Sequence, residues 1–118
     1  MVLEAEFAVT PGAREVEQAE VSSIVRWRRE HQPGGSNAGS VFTNPPGDSA
    51  GRLIEQAGLK GHTLGRAQIS SLHANWIVNL GGATARDVVA LMELAQVRVR
   101  DAFGAELQPE VRRIGRFL

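Results

Sequence analysis

Ser40 is the residue of this chain best placed to do chemistry, in the octet AGSVFTNP at residues 38–45. Gly39 precedes it and the strand formers Val41 and Phe42 follow, before Asn44-Pro45-Pro46-Gly47 ends the run. A hydroxyl at that point stands at the mouth of a strand, beside a backbone that a ligand can approach because glycine has no side chain. The Pro-Pro-Gly that follows cannot extend a ladder and must turn. Alone, a Ser beside a Gly equally well satisfies local backbone groups in a turn. Glu110, between Pro109 and Val111 on the polar side of a short terminal run, is the second candidate. Facing one cleft, the two would make a proton donor and a carboxylic acid able to steady a developing charge.

Other candidates have plainer explanations. Gly81-Gly82-Ala83-Thr84 opens a helix and could hold a phosphate. The pattern lacks the Lys of a phosphate loop, so a well-capped strand-to-helix turn accounts for it. Arg26-Trp27-Arg28-Arg29 could present cations beside an aromatic platform to nucleic acid. A solvated helix face with one buried Trp explains it better, because 13 basic residues balance 13 acidic ones and no net field draws a polyanion. His31, His62 and His73 lack ligand spacing and cysteine is absent, so neither a metal site nor thiolate chemistry is expected. No G-x-S-x-G elbow accompanies the serines, which leaves a hydrolase triad without support. No stretch is apolar for long enough to span a bilayer, and the N-terminus has no signal-peptide pattern, so a cytoplasmic protein is expected.

These residues must be positioned by a small set of elements. With 118 residues, the chain makes one domain of modest stability. Leu3, Ala5, Phe7 and Val9 alternate with more polar neighbours and read as a strand with one buried face, ended by Thr10-Pro11-Gly12. Residues 13–31 suit a helix with a broad apolar side carrying Val16, Ala19, Ile24 and Trp27. After a Gly-rich loop comes the strand of the octet, then a short helix capped by Asp48 or Ser49, with Ala50, Leu53, Ile54 and Ala57 on one face and Gly58 at its end. Residues 67–70 alternate, and the apolar run 76–78 is expected of a central strand. The clearest helix covers 84–103, with Thr84 and Asp87 as a capping box and Gly104 closing it. Its core stripe holds Val88, Leu91, Met92, Ala95, Val99, Ala102 and Phe103. Leu107 and Val111 then alternate with Gln108, Glu110 and Arg112 on an edge strand. The sum is α+β, helices and strands mixed in one layered unit.

Five ordered blocks complete the reading: QP at 32–33, AGSVFTNP at 38–45, AGRLIEQAGLKG at 50–61, HANWIVNLGGATARDVV at 73–89 and LQPEVRRIG at 107–115. Together they resemble the C-terminal, substrate-binding domain of UDP-N-acetylenolpyruvoylglucosamine reductase (UDP-N-acetylmuramate dehydrogenase), a flavoprotein oxidoreductase of peptidoglycan synthesis and hence of cell wall biogenesis, cell shape and division. Residues 1–12 resemble the last strand of that enzyme's FAD-binding domain, otherwise missing, and 13–118 the C-terminal domain. The resemblance implies FAD as cofactor, NADPH as reductant, UDP-N-acetylenolpyruvoylglucosamine as substrate and the FAD-binding domain of a longer chain as partner, with no nucleic acid and no membrane. It implies Ser40 as the proton donor, Glu110 as the acid that stabilises the intermediate's enolic carboxyl group, Asn44 and His73 as substrate contacts, and Arg112 near the flavin or its phosphates. Thr43 stands where the family usually has Lys, and Trp76 where it usually has Phe. The chain alone is expected to be inactive; the alternative is a stand-alone, non-catalytic module that binds UDP-sugars.

Overall fold

The computed structural model describes residues 1–116, which fall into two compact units, Met1–Glu30 and the remainder from His31 onward.

In the first unit, residues 1–13 form no helix or strand. The strand expected over residues 3–9 is therefore absent, because an alternating segment makes a ladder only against a second strand and this unit supplies none. Helix α1 (Arg14–His31) follows, with Glu15 and Glu17 in its first turn, where the helix dipole favours negative charge. None of its residues is buried. The apolar side expected of it stands exposed at Val16, Ile24 and Trp27, and Trp27 is not the buried anchor the sequence suggested.

The second unit is built on a four-stranded antiparallel sheet in the order β1-β4-β3-β2. Its members are β1 (Ser36–Ser40), β2 (Thr63–Leu64), β3 (Ala67–Ile69) and β4 (Trp76–Asn79). β4 is central, as its apolar run predicts, but only Ile77 is buried in it. The two-residue β2 is too short to leave a periodic signal. Between β1 and β2 lies α2 (Ala50–Gln56), where Ser49 is the cap: its hydroxyl accepts from the Arg52 amide at 3.2 Å. After β4 comes α3 (Ala85–Phe103), which packs against α2, β2 and β3. Thr84 and Asp87 form the expected capping box, and Gly104 ends the helix in the left-handed region at φ +67.

The core gathers Phe42, Leu53, Ile54, Ile69, Leu91, Met92, Val99 and Leu107. The stripe of α3 is buried from Leu91 to Val99, but Ala102 and Phe103 at its end are exposed. The terminal strand expected over 107–111 is reduced to a single antiparallel bridge, Phe42 to Pro109. Pro109 has no N–H to extend a ladder.

Candidate functional site

Ser40 is the last residue of β1, and its position depends on an irregularity. Three steps from Asn37 to Ser40 lie opposite two steps from Val78 to Trp76, so one extra residue bulges out of β1. Gly39 occupies the bulge at φ +80, a conformation that a side chain would strain. Its N–H donates to Asn37 Oδ1 at 2.9 Å, which fixes the kink that aims the next residue.

Beyond Ser40 the chain leaves the ladder, yet Val41 and Phe42 are buried. Both of their amides and the Phe42 carbonyl go to Asn75. The Val41 amide donates to the Asn75 carbonyl (2.9 Å), the Phe42 amide to Asn75 Oδ1 (3.0 Å), and Asn75 Nδ2 donates to the Phe42 carbonyl (2.9 Å). A buried carboxamide thus stands in for the missing strand. No sequence pattern announces that role for Asn75; only the accounting of buried amides reveals it.

The other side of the same segment meets residues 108–111. Thr43 N–H donates to the Gln108 carbonyl (3.0 Å), and Glu110 N–H donates to the Val41 carbonyl (2.8 Å). Glu110 is therefore hydrogen-bonded through its backbone to the residue after Ser40. Both side chains are exposed, and no hydrogen bond joins them among the described residues.

A polar cavity of about 350 Å³ brings three of the candidates together: Ser40, Asn44 and His73 line it, with Ser49, Gly51, Arg52 and Glu55. Asn44 is oriented by the Ala50 amide, which donates to its Oδ1 at 3.0 Å. The His73 ring is oriented by the Asn75 amide, which donates to Nδ1 at 3.2 Å, so the neutral imidazole carries its proton on Nε2. His73 also lies edge-on to Trp76, with centroids 6.4 Å apart. Gly51 makes room for the ring, since a Cβ at that position would lie 2.9 Å from His73 Cε1 and one of the two would have to shift.

Sequence reasoning missed Arg52 and the acid that holds it. Arg52 Nε donates to Asp48 Oδ1 at 2.6 Å, and Nη2 donates to Asp48 Oδ2. The Arg52 guanidinium, helped by the Ser49 amide, holds the Asp48 carboxyl down to about 2 from 3.8. An acid four residues before a base at the start of a helix is the local signal that could have found the pair.

Arg112 stands apart from the polar cavity. It lines a mainly apolar one of about 400 Å³ with Ala38, Val41, Ile77, Val88 and Met92. A larger cavity of about 620 Å³ opens at the start of α3 beside Arg86, Arg113 and Arg116 and contains none of the candidate residues. The glycine turn leading into α3 is tied down from within: Asn79 Oδ1 accepts from the Gly81 (2.8 Å) and Ala83 (3.1 Å) amides, and Asp87 Oδ2 from the Thr84 amide (2.9 Å). That turn is a cap, as its sequence suggested. Among the described residues no group of three or more His, Asp or Glu could hold a metal ion, and no helix is long and apolar enough to cross a membrane.

Comparison with known proteins identifies the family of the chain. The family model described as "UDP-N-acetylenolpyruvoylglucosamine reductase, C-terminal domain" matches residues 31–114, nearly the whole of the second unit. The chain is 56% identical to the UDP-N-acetylenolpyruvoylglucosamine reductase of Myxococcus xanthus over 119 residues, covering 100% of this chain and 38% of that protein. The enzyme of the same name from Chloroflexus aggregans is 51% identical over 112 residues, again covering 38% of its length. The crystal structure of UDP-N-acetylenolpyruvylglucosamine reductase from Thermus caldophilus superposes with a TM-score of 0.70 at 42% identity, over 85% of this chain and 35% of that one. The chain thus spans little more than a third of these relatives. Family match, identity and fold lead to one conclusion: this chain belongs to the UDP-N-acetylenolpyruvoylglucosamine reductase family, in its C-terminal domain.

Proposed function

We propose that the chain supplies the substrate half of an active site that reduces UDP-N-acetylenolpyruvoylglucosamine to UDP-N-acetylmuramate, within a longer chain that uses FAD and NADPH. One observation carries this reading: Ser40, Asn44 and His73 line one polar cavity, and the Glu110 backbone is hydrogen-bonded one residue away from Ser40.

The described residues do not themselves form a cradle for a flavin dinucleotide. The glycine turn is of the type that can hold a pyrophosphate, but its Gly81, Ala83 and Thr84 amides are taken by Asn79 and Asp87. In this reading FAD would be held by the preceding domain and, reduced by NADPH, would supply hydride chemistry at the terminal alkene carbon. Residues 1–12 are assigned to the end of that domain, and Arg112 to its flavin side.

What remains is proton chemistry on the neighbouring carbon. After hydride arrives, that carbon is carbanion-like, with charge delocalised into the carboxylate. The Ser40 Oγ–H bond breaks as the new C–H bond forms, and water returns a proton to the serine oxygen. A neutral hydroxyl suffices against so strong a base when it is well placed. Glu110 would stabilise the enolic carboxyl group of the intermediate. Asn44 and His73 offer Nδ2–H and Nε2–H to the substrate, since their acceptor atoms already serve backbone amides. Ser40 and Glu110 are exposed here, so the dry cleft this chemistry needs would come from the rest of the longer chain, and the isolated chain is expected to be inactive.

Rapid-reaction kinetics on the longer enzyme tests this assignment. Ser40→Ala should leave flavin reduction by NADPH within about twofold and slow flavin reoxidation by substrate by about 10²-fold or more. Equal slowing of both halves would refute Ser40 as proton donor.

A further inference from the structure

The reaction above leaves Arg52 unused, although it lines the same cavity as Ser40. We infer that Arg52, aimed by Asp48, binds the diphosphate of the nucleotide sugar; the inference rests on the substrate reading just given and adds the residue that recognises the nucleotide part.

The first argument is an inventory of donors and acceptors. Asn44 Oδ1 is occupied by the Ala50 amide, His73 Nδ1 by the Asn75 amide, and Ser49 Oγ by the Arg52 amide. Each of these side chains has spent one acceptor lone pair on backbone and still carries a donor: Nδ2–H, Nε2–H and a hydroxyl hydrogen. A cavity whose side chains are left with donors is complementary to an oxyanion.

The second argument is the fork. A guanidinium has five N–H groups, of which Asp48 engages one on Nε and one on Nη2. The other three remain, in a planar array suited to phosphate oxygens. Asp48 is itself held by the Ser49 amide, 2.7 Å from Oδ1. Within this pair Asp48 is the more enclosed partner, at 25% exposure against 54% for Arg52, so the cation is the end presented outward. The remaining charged group lining the cavity, Glu55, is paired with Lys60 at 3.0 Å.

The substrate carries two oxyanions, the diphosphate and the enolpyruvyl carboxylate. In the reading above the carboxylate belongs with Glu110, which does not line this cavity. The cavity's donors are therefore left to the diphosphate. Asp48 acts as a positioning residue through Arg52.

The test is amide NMR titration of the 118-residue chain with uridine, UDP and UDP-N-acetylenolpyruvoylglucosamine. The unsubstituted chain should bind UDP at least about tenfold more tightly than uridine, since only UDP carries the diphosphate. Arg52→Gln should weaken UDP and the full substrate alike by about tenfold. Arg52→Lys, which keeps the charge but not the fork, should cost only about threefold. Asp48→Asn should cost about threefold for UDP while leaving uridine unchanged, which a loss of structure would not do. Unchanged UDP affinity in Arg52→Gln overturns the inference, as does a loss confined to the enolpyruvyl ligand. If the unsubstituted chain binds neither UDP nor substrate, both the inference and the substrate-site reading fall. An indifferent Arg52→Gln together with the expected Ser40→Ala kinetics removes the inference alone.

Discussion

Removing the Asn75 carboxamide should cost more than any other single polar change in the sheet unit. Asn75→Ala leaves the Phe42 N–H and C=O without their partners at 3.0 and 2.9 Å, in a place where Phe42 and Asn75 are 2% and 4% exposed. A buried backbone group left unsatisfied costs about 1–3 kcal/mol, so the pair together costs about 2–6 kcal/mol. A small domain has only about 5–15 kcal/mol in total. With a urea slope of about 1–2 kcal/mol per molar, the midpoint should fall by about 2 M in equilibrium unfolding followed by far-UV circular dichroism. Asn75→Asp supplies the internal control. One carboxylate oxygen still accepts from the Phe42 amide, while the other faces the Phe42 carbonyl and needs a proton to be tolerated there. The folded state of this variant then binds a proton more tightly than the unfolded state. Its stability is fully present below the unfolded carboxyl value and is lost as pH rises through the elevated folded value. The deficit against the unsubstituted chain should be large near about pH 7 and narrow towards about pH 4. A cost below about 1 kcal/mol for Asn75→Ala, or a deficit in Asn75→Asp that ignores pH, would show that Phe42 finds other partners and that the reasoning is wrong.

Gly51→Ala improves helix propensity by about 1 kcal/mol but brings a Cβ within 2.9 Å of His73 Cε1, so substrate affinity should drop while thermal stability changes little or falls. A clear rise in stability with unaltered His73 ring resonances would contradict the close approach. Asp48 should titrate at about 2 in a carboxyl-carbon NMR experiment, and Arg52→Gln should return it towards 3.8. Because that carboxyl is depressed in the folded state, what it contributes is present above its unfolded value and lost as pH falls through about 2. Thr84→Ala removes one half of the capping box on α3 and should cost about 1 kcal/mol in thermal unfolding.

Local rules carried much of the fold. The Ser49 and Thr84 caps, the left-handed Gly104 and the stripe from Leu91 to Val99 depend on neighbours within one or two turns, and they were readable. Long-range conditions were not. Residues 3–9 alternate like a strand, but alternation does not supply a partner, and none is present in their unit. Trp27 and Phe103 have the character of core residues and are exposed, because burial depends on what else packs nearby. The end of β1 was misjudged for a related reason: Val41 and Phe42 are strand formers whose backbone pairs with Asn75 and residues 108–110 after a bulge. Ser40 and Glu110 could be singled out as candidates by residue type and through the family blocks. That Asn44, His73 and Arg52 share a cavity with Ser40 required the turn at residues 45–48 and the placement of α2 against the loop before β4.

The bridge between Phe42 and Pro109 has a consequence for synthesis. Thr43 and Gln108, which flank it, are 65 residues apart in sequence. A nascent chain emerging from the ribosome can form α2 and begin the sheet well before it contains Gln108 or Glu110. Until those residues appear, Val41 and Phe42 have only Asn75, and Ser40 sits on a segment open along one side. A transcript cut short before residue 107 would therefore yield a protein that has its serine but lacks the neighbouring backbone, an unpaired edge of the kind that quality-control proteases and self-association both exploit.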